Sequence, residues 1–319
     1  MEHGDIMKLV LPTPFAVGDV NVYIVKGEAL TLVDGGVKTE EAWNAFLVQL
    51  QELGMRPEDI EQVILTHHHP DHVGLLEWLP KDLPVYGHKY VRPWIEKDQS
   101  FFSAYDDFYK RLFREFAVEG DFNQLLAIMK SSLRFSCERP LTYEIEEGDV
   151  IPGFEDWVVL ETPGHAQSHL VFYREKDGTL LAGDHVLAAI SSNPLLEPPL
   201  IPSDERPKPQ LQYNDSLRKL LDVDIRIAFT GHGPEVKKTH ELIERRLLRQ
   251  HERAMQVKEI LEEKPLTTFQ LTKILFPAVY EKQLGLTLSE TTAQLDYLLS
   301  VDAINKRVEE NGAAYFSAR

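Results

Sequence analysis

Gln62-Val63-Ile64-Leu65-Thr66-His67-His68-His69-Pro70-Asp71-His72-Val73-Gly74 is the stretch on which the reading of this chain turns. Val63, Ile64 and Leu65 in succession predict a short strand buried on both faces. That strand stops abruptly at His67, His69, Asp71 and His72, with His68 between them. A buried strand ending in polar side chains delivers them to a sheet edge, where the sites of layered α/β proteins lie. Imidazole and carboxylate are the ligands of zinc and related divalent ions, and a catalytic site keeps an open position beside them. In extended backbone His67 and His69 point the same way. Asp71 and His72 follow Pro70 and can aim at a second point, so the spacing suits two adjacent ions better than one.

A solvated histidine-rich turn would account for a lone His-X-His. Three later segments weigh against it: Leu160-Glu161-Thr162-Pro163-Gly164-His165, Thr179-Leu180-Leu181-Ala182-Gly183-Asp184 and Ile227-Ala228-Phe229-Thr230-Gly231-His232. Each passes from apolar residues through glycine to a ligand-type residue, and glycine permits a sharp turn and close backbone approach.

In combination, His67-X-His69-X-Asp71-His72, His165, Asp184 and His232 resemble the metallo-β-lactamase superfamily, over roughly residues 8 to 240. The resemblance implies the α/β fold of that superfamily, an αββα sandwich. It implies that His67, His69 and His165 hold one metal, that Asp71, His72 and His232 hold the other, and that Asp184 bridges them. The cofactor would be two divalent ions, zinc first, with manganese or iron as alternatives. A metal-bridging hydroxide would be the nucleophile, and Asp71 the catalytic residue that orients it.

Other residues take lesser parts. Asp34, closing Ala29-Leu30-Thr31-Leu32-Val33, reads equally as an outer partner of the metals or as a turn cap. His169 is expected to hydrogen-bond near the metals, because ligated histidines need such partners. His185 is a proton-donor candidate by neighbourhood only, and His88 lies off the ligand pattern and is set aside. From about Pro93 to Arg134 the chain turns helical and aromatic, and we read it as a helical cap inserted into the catalytic domain. Residues 192 to 209 hold six prolines, a stiff loop that is not helical.

Composition bounds the class. A chain of 319 residues suits one large and one small domain, here 1–240 and 241–319. Hydrophobic content of 43% with 27% charged is ordinary for a soluble globular protein. No run approaches the roughly 20 apolar residues of a membrane helix. The start, Met1-Glu2-His3-Gly4-Asp5, lacks the basic and apolar regions of a signal peptide. A single cysteine, Cys137, excludes an internal disulfide and fits a reducing compartment. A cytoplasmic enzyme without a membrane partner is the expectation. With 34 basic and 51 acidic residues the formal charge is −17, which disfavours nucleic acid as a partner.

The tail differs in kind. Glu241 to Glu263 predicts a long helix, followed by a capped helix from about Leu266 and another from Ser289 to Leu299. Two strand-like pieces, at Ile304 and Ala314, flank the turn Glu310-Asn311-Gly312. This order is a winged-helix pattern. It resembles the superfamily's subgroup with a C-terminal winged-helix domain, the β-lactamase-like protein 2 type. Residues 240 to 319 hold 11 basic and 12 acidic side chains, without the basic face of a DNA-docking wing. A structural role, against the catalytic domain or in a homodimer, is therefore favoured. Two activities stand. Hydrolysis of a small-molecule acyl substrate, a thioester, ester or lactone, is favoured by the acidic surface and the aromatic insertion. Endonuclease action on single-stranded RNA is favoured by the tail's resemblance.

Overall fold

The computed structural model describes residues 4–202 and 205–319, so the first three residues of the leader reading and residues 203–204 of the proline-rich loop lie outside it. Strands β1 (Ile6–Leu11), β2 (Val20–Lys26), β3 (Leu30–Val33), β4 (Gln62–Ile64), β5 (Val85–Gly87) and β6 (Tyr143–Glu144) lie side by side in that order. β1 to β3 pair antiparallel, and β3 to β6 pair parallel. Parallel neighbours need a crossover, and α1 (Glu40–Glu52) supplies the one between β3 and β4. The Thr39 hydroxyl fixes its start by accepting the Ala42 N–H at 3.2 Å, and Glu40 and Glu41 suit the positive end of the helix.

Side-chain alternation sorts the sheet's apolar residues between two cores. Val22, Ile24, Leu32, Val63 and Leu65 pack with Phe46 and Leu50 of α1. Tyr23, Val25, Val33 and Ile64 share the other core with Phe172, Leu181 and Phe229. Those three come from a second sheet: β7 (Val158–Glu161), β8 (Leu170–Arg174), β9 (Thr179–Gly183) and β10 (Ile227–Thr230), in the order β10-β9-β8-β7. Two sheets thus pack face to face, with helix on the outside of the first. Each fully buried Leu, Ile, Val or Phe contributes about 1.5–3 kcal/mol, so the strand at 62–65 is held from both sides.

Two compact units divide the chain. The first takes residues up to 98, 132–192 and 219–242, and so contains both sheets and two short helices, α2 (Pro70–Val73) and α3 (Arg92–Ile95). The second takes residues 99–131, 193–218 and 243–319. The division expected at 240 lies close to one seam, but the aromatic helices and the proline-rich loop cluster with the tail. Their buried groups give the reason. On α4 (Gln99–Glu115) Phe101, Tyr105, Phe108, Tyr109 and Phe113 are buried, and α5 (Phe122–Met129) adds Leu126. The Phe269 N–H donates to the Phe116 carbonyl at 3.1 Å, and the Leu196 N–H to Ser289 Oγ at 3.1 Å. The rings form interior, as aromatics at helical spacing usually do.

After α6 (Pro209–Leu221), the remaining elements are α7 (Thr239–Glu263), β11 (Leu266–Thr267), α8 (Thr268–Leu275), α9 (Leu284–Ser300), β12 (Ile304–Val308) and β13 (Ala314–Ala318). The last three strands form an antiparallel sheet in the order β11-β13-β12. Thr267 and Gln270 form a capping box that starts α8. α9 begins at Leu284 and not Ser289, and its Gly285 sits against α5, where a Cβ would lie 3.1 Å from Met129 Cε. Among the described residues no helix is long and apolar enough to cross a membrane.

Candidate metal centre

The chain leaves β4 at Ile64 and reaches Thr66, whose N–H and hydroxyl both meet the Asp34 carboxylate, at 2.8 Å each. Asp34 itself turns off β3 in the left-handed region at φ 63°, a conformation that short polar side chains tolerate. The Thr66 hydroxyl donates to Asp34 and accepts from His67 Nδ1 at 2.9 Å. His67 Nε2 is thereby left with its lone pair. Asp34 Oδ2 takes His72 Nδ1 at 2.8 Å, and the Asp19 carbonyl takes His232 Nδ1 at 2.7 Å. A ring nitrogen that donates fixes the tautomer and turns the other nitrogen outward. Asp34 therefore orients His72, the contact that the first of its two sequence readings calls for.

All seven singled-out residues meet in one place within the first unit. His67, His69 and His165 form one group whose ligand atoms lie within 4.8 Å of one another, and Asp71, His72 and His232 form another. Asp184 lies near both, with Oδ1 3.4 Å from His72 Nε2 and Oδ2 3.6 Å from His165 Nε2 and 3.4 Å from His232 Nε2. His232 Nε2 is also 3.3 Å from Asp71 Oδ2. Two glycines make this crowding feasible. A Cβ on Gly231 would fall 2.1 Å from Asp184 Oδ1, and one on Gly183 would fall 2.8 Å from Thr66 Oγ1. A register shift between Phe229 and Thr230 re-aims the end of β10 beside them.

Neighbouring groups fix the loops. Asn21 Nδ2 donates to the Thr230 and Gly233 carbonyls at 2.8 Å each, and Tyr23 Oη donates to Thr230 O at 2.6 Å. β2 thus clamps the turn that carries His232. His169 pairs through Nδ1 with Thr162 Oγ1 at 2.9 Å and accepts the Asp184 N–H at Nε2, at 3.2 Å. That is the near-site hydrogen bond expected of it. His185 is fully buried, its ring 5.6 Å from that of His169, and His88 Nε2 lies 3.3 Å from Glu161. Asp19, Asn21, Tyr23 and Thr162 had no sequence signal, since each is an ordinary polar residue in an ordinary strand or turn.

The charge balance shows what the site lacks. Burial opposes charging His72, yet Asp184 and Asp34 hold it well above its ordinary range. Burial likewise opposes charging His232, which Asp184 and Asp71 nonetheless raise to about 10. His67 and His69 are held well below their usual value, by burial first and by neighbouring imidazoles second. Three buried atoms in the cluster, His72 Nε2, Asp184 Oδ1 and His232 Nε2, make no hydrogen bond. Buried polar atoms are normally satisfied, and orphans converging on one point fit a cation that would take the place of the imidazole protons the carboxylates favour here. The residues are compatible with a dinuclear metal centre.

Fold and site together define a mixed α/β protein built around a histidine–carboxylate metal centre. Residues 16–232 match the model of the metallo-beta-lactamase superfamily, and the chain belongs to that superfamily. It is 46% identical over 316 residues to the probable metallo-hydrolase YqjP of Bacillus subtilis (strain 168), covering 99% of this chain and 98% of that one. It is 25% identical over 272 residues to the beta-lactamase-like protein 2 homolog of Caenorhabditis elegans, covering 82% of this chain and 72% of that one. The crystal structure of the metallo-beta-lactamase family protein TTHA1429 from Thermus thermophilus superimposes with a TM-score of 0.81, at 26% identity and 99% coverage of both chains. The chain is a metal-dependent hydrolase.

Proposed function

We propose that this hydrolase is dinuclear and acts on small acyl compounds: thioesters, esters or lactones. The observation that carries the two-ion reading is the pair of ligand groups that share no residue, with Asp184 beside both. His67, His69 and His165 would hold one ion and Asp71, His72 and His232 the other, with Asp184 between. Zinc suits this imidazole-rich set. Divalent ions in such a site supply an acidified water and positive charge for the acyl oxygen.

The chain's own residues do the rest. Thr66, Asp34 and the Asp19 carbonyl hold the imidazoles by the nitrogen that does not face the cluster. His169 holds the Asp184 backbone. Asp71, with 11% of its side chain exposed, would accept a hydrogen bond from an attacking water and orient it. No serine or cysteine nucleophile is required.

Substrate class rests on charge. Nucleic-acid affinity scales with the phosphates met by Lys and Arg, and a chain at −17 has few to spare. The buried rings of α4 are interior, so they do not support the acyl reading as an exposed aromatic insertion would. The tail's order of helix, strand, helix, helix and hairpin supports a winged-helix-like unit, for which a structural role fits the near-neutral charge. The test compares kcat/KM for acyl thioesters and lactones with that for single-stranded oligoribonucleotides, on one metal-loaded preparation. A dominant RNase activity, abolished in Asp184→Asn, with no acyl turnover, would replace this reading with the nuclease.

A further inference from the structure

His68 is the one histidine of the quoted stretch that the ligand groups described above leave without a role. It is buried, with 4% exposure, and its ring centroid lies 4.9 Å from that of His69. Its ring stacks on Trp94, centroids 4.2 Å apart and planes 12° from parallel. Its Nδ1 lies 2.8 Å from Ser168 Oγ, and its backbone N–H donates to that same oxygen at 3.2 Å. Ser168 is fully buried and lies between His165 and His169 on the other ligand-bearing loop.

A backbone bond fixes the register of the two loops: the Leu170 N–H donates to the Thr66 carbonyl at 2.8 Å. Two residues on in one loop and two back in the other lie His68 and Ser168, the spacing of antiparallel neighbours. There the serine side chain stands in for the next backbone rung. Beyond it come His69 and His165, whose rings are 4.7 Å apart.

We propose that His68 and Ser168 form a positioning clasp that sets the separation of His69 and His165, and so tunes metal affinity at the His67, His69 and His165 group. The inference rests on the reading of those three residues as ligands. The Ser168 hydroxyl meets two buried groups of His68 at once, so its loss removes both bonds. The other ligand group is held by Asp34, the Asp19 carbonyl and the clamp from β2.

The experiment is stepwise zinc titration of the metal-free full-length chain against a chromophoric chelator, for wild type, Ser168→Ala and His68→Asn. Loss of a partner that orients a ligand typically costs about 10- to 100-fold in metal affinity, and Ser168→Ala should weaken one binding step by that much while leaving the other unchanged. His68→Asn places an amide near the Nδ1 position and should stay close to wild type. Unchanged titration of Ser168→Ala would overturn the clasp. Equal weakening of both steps, with a lowered Tm, would overturn it too, because the pair would then be merely structural. A wild type that takes up a single equivalent refutes the two-ion reading instead, and the clasp is then judged on whether Ser168→Ala weakens that single step.

Discussion

Along α9 in the second unit, Thr287, Ser289 and Thr291 are buried and their hydroxyls donate to carbonyls one turn back, while Asp296 meets Arg206 at 2.6 Å. At the strand ends of the first unit His72, Asp184 and His232 are buried to the same degree, yet each keeps an atom with no hydrogen-bond partner. The second unit has single leftovers, such as Thr292 Oγ1 and Asp296 Oδ2, but among the described residues no ligand-type triad lies wholly within it. Buried polarity that closes on itself specifies architecture, and buried polarity that converges and stays open awaits a ligand. The contrast separates a site from a core without appeal to activity.

Substitutions can break that contrast. Asp184→Asn removes the carboxylate that faces both ligand groups. Metal-assisted charge stabilisation is worth several kcal/mol, so kcat/KM should fall about 1,000-fold or more, with a Tm close to wild type. Retained activity and metal content would remove Asp184 from the centre. Gly231→Ala should come next, since its Cβ would fall 2.1 Å from Asp184 Oδ1 and 2.9 Å from His72 Cε1. Its backbone is not in the left-handed region, so the effect is steric displacement of two ligands, read as lost zinc affinity in a chain that still folds. Asp34→Asn should cost about 10- to 100-fold in metal affinity, because Asp34 orients His72 and anchors Thr66. An isothermal titration that finds no change would return Asp34 to a turn cap.

Much of this was legible in the sequence. The ligand-type residues stood out because chemistry demands rare residue types at strand ends, with glycine beside them. What supports them was not, because Asn21 and Tyr23 act across strands remote in sequence, and strand pairing cannot be read from either strand alone. The grouping of residues 99–131 with the tail was hidden for a related reason. Aromatic spacing at 99–131 announces a buried helix face but not its partner, and that partner, the tail, begins more than a hundred residues later.

A smaller effect tests the outer body of the first unit. Burial acts against ionisation of Asp5 and Asp177, yet hydrogen bonds from Arg174 hold both below the usual carboxylate value of 3.8. Depressed folded values stabilise fully above the unfolded pKa, and that stability is lost as pH falls through the folded values. The Tm should therefore drop below about pH 4, and Arg174→Met should lower the Tm at neutral pH and flatten that acid limb, so that variant and wild type converge as pH falls. An acid limb of unaltered steepness would remove the trio from acid stability.

The central claim is that the first unit's open polar cluster holds two ions. Metal-free protein titrated with zinc, followed by elemental analysis after removal of excess, should reach two equivalents per chain. Asp71→Asn or His232→Ala should reduce the second equivalent while sparing the first. A stoichiometry of one, unaffected by either substitution, would contradict the account.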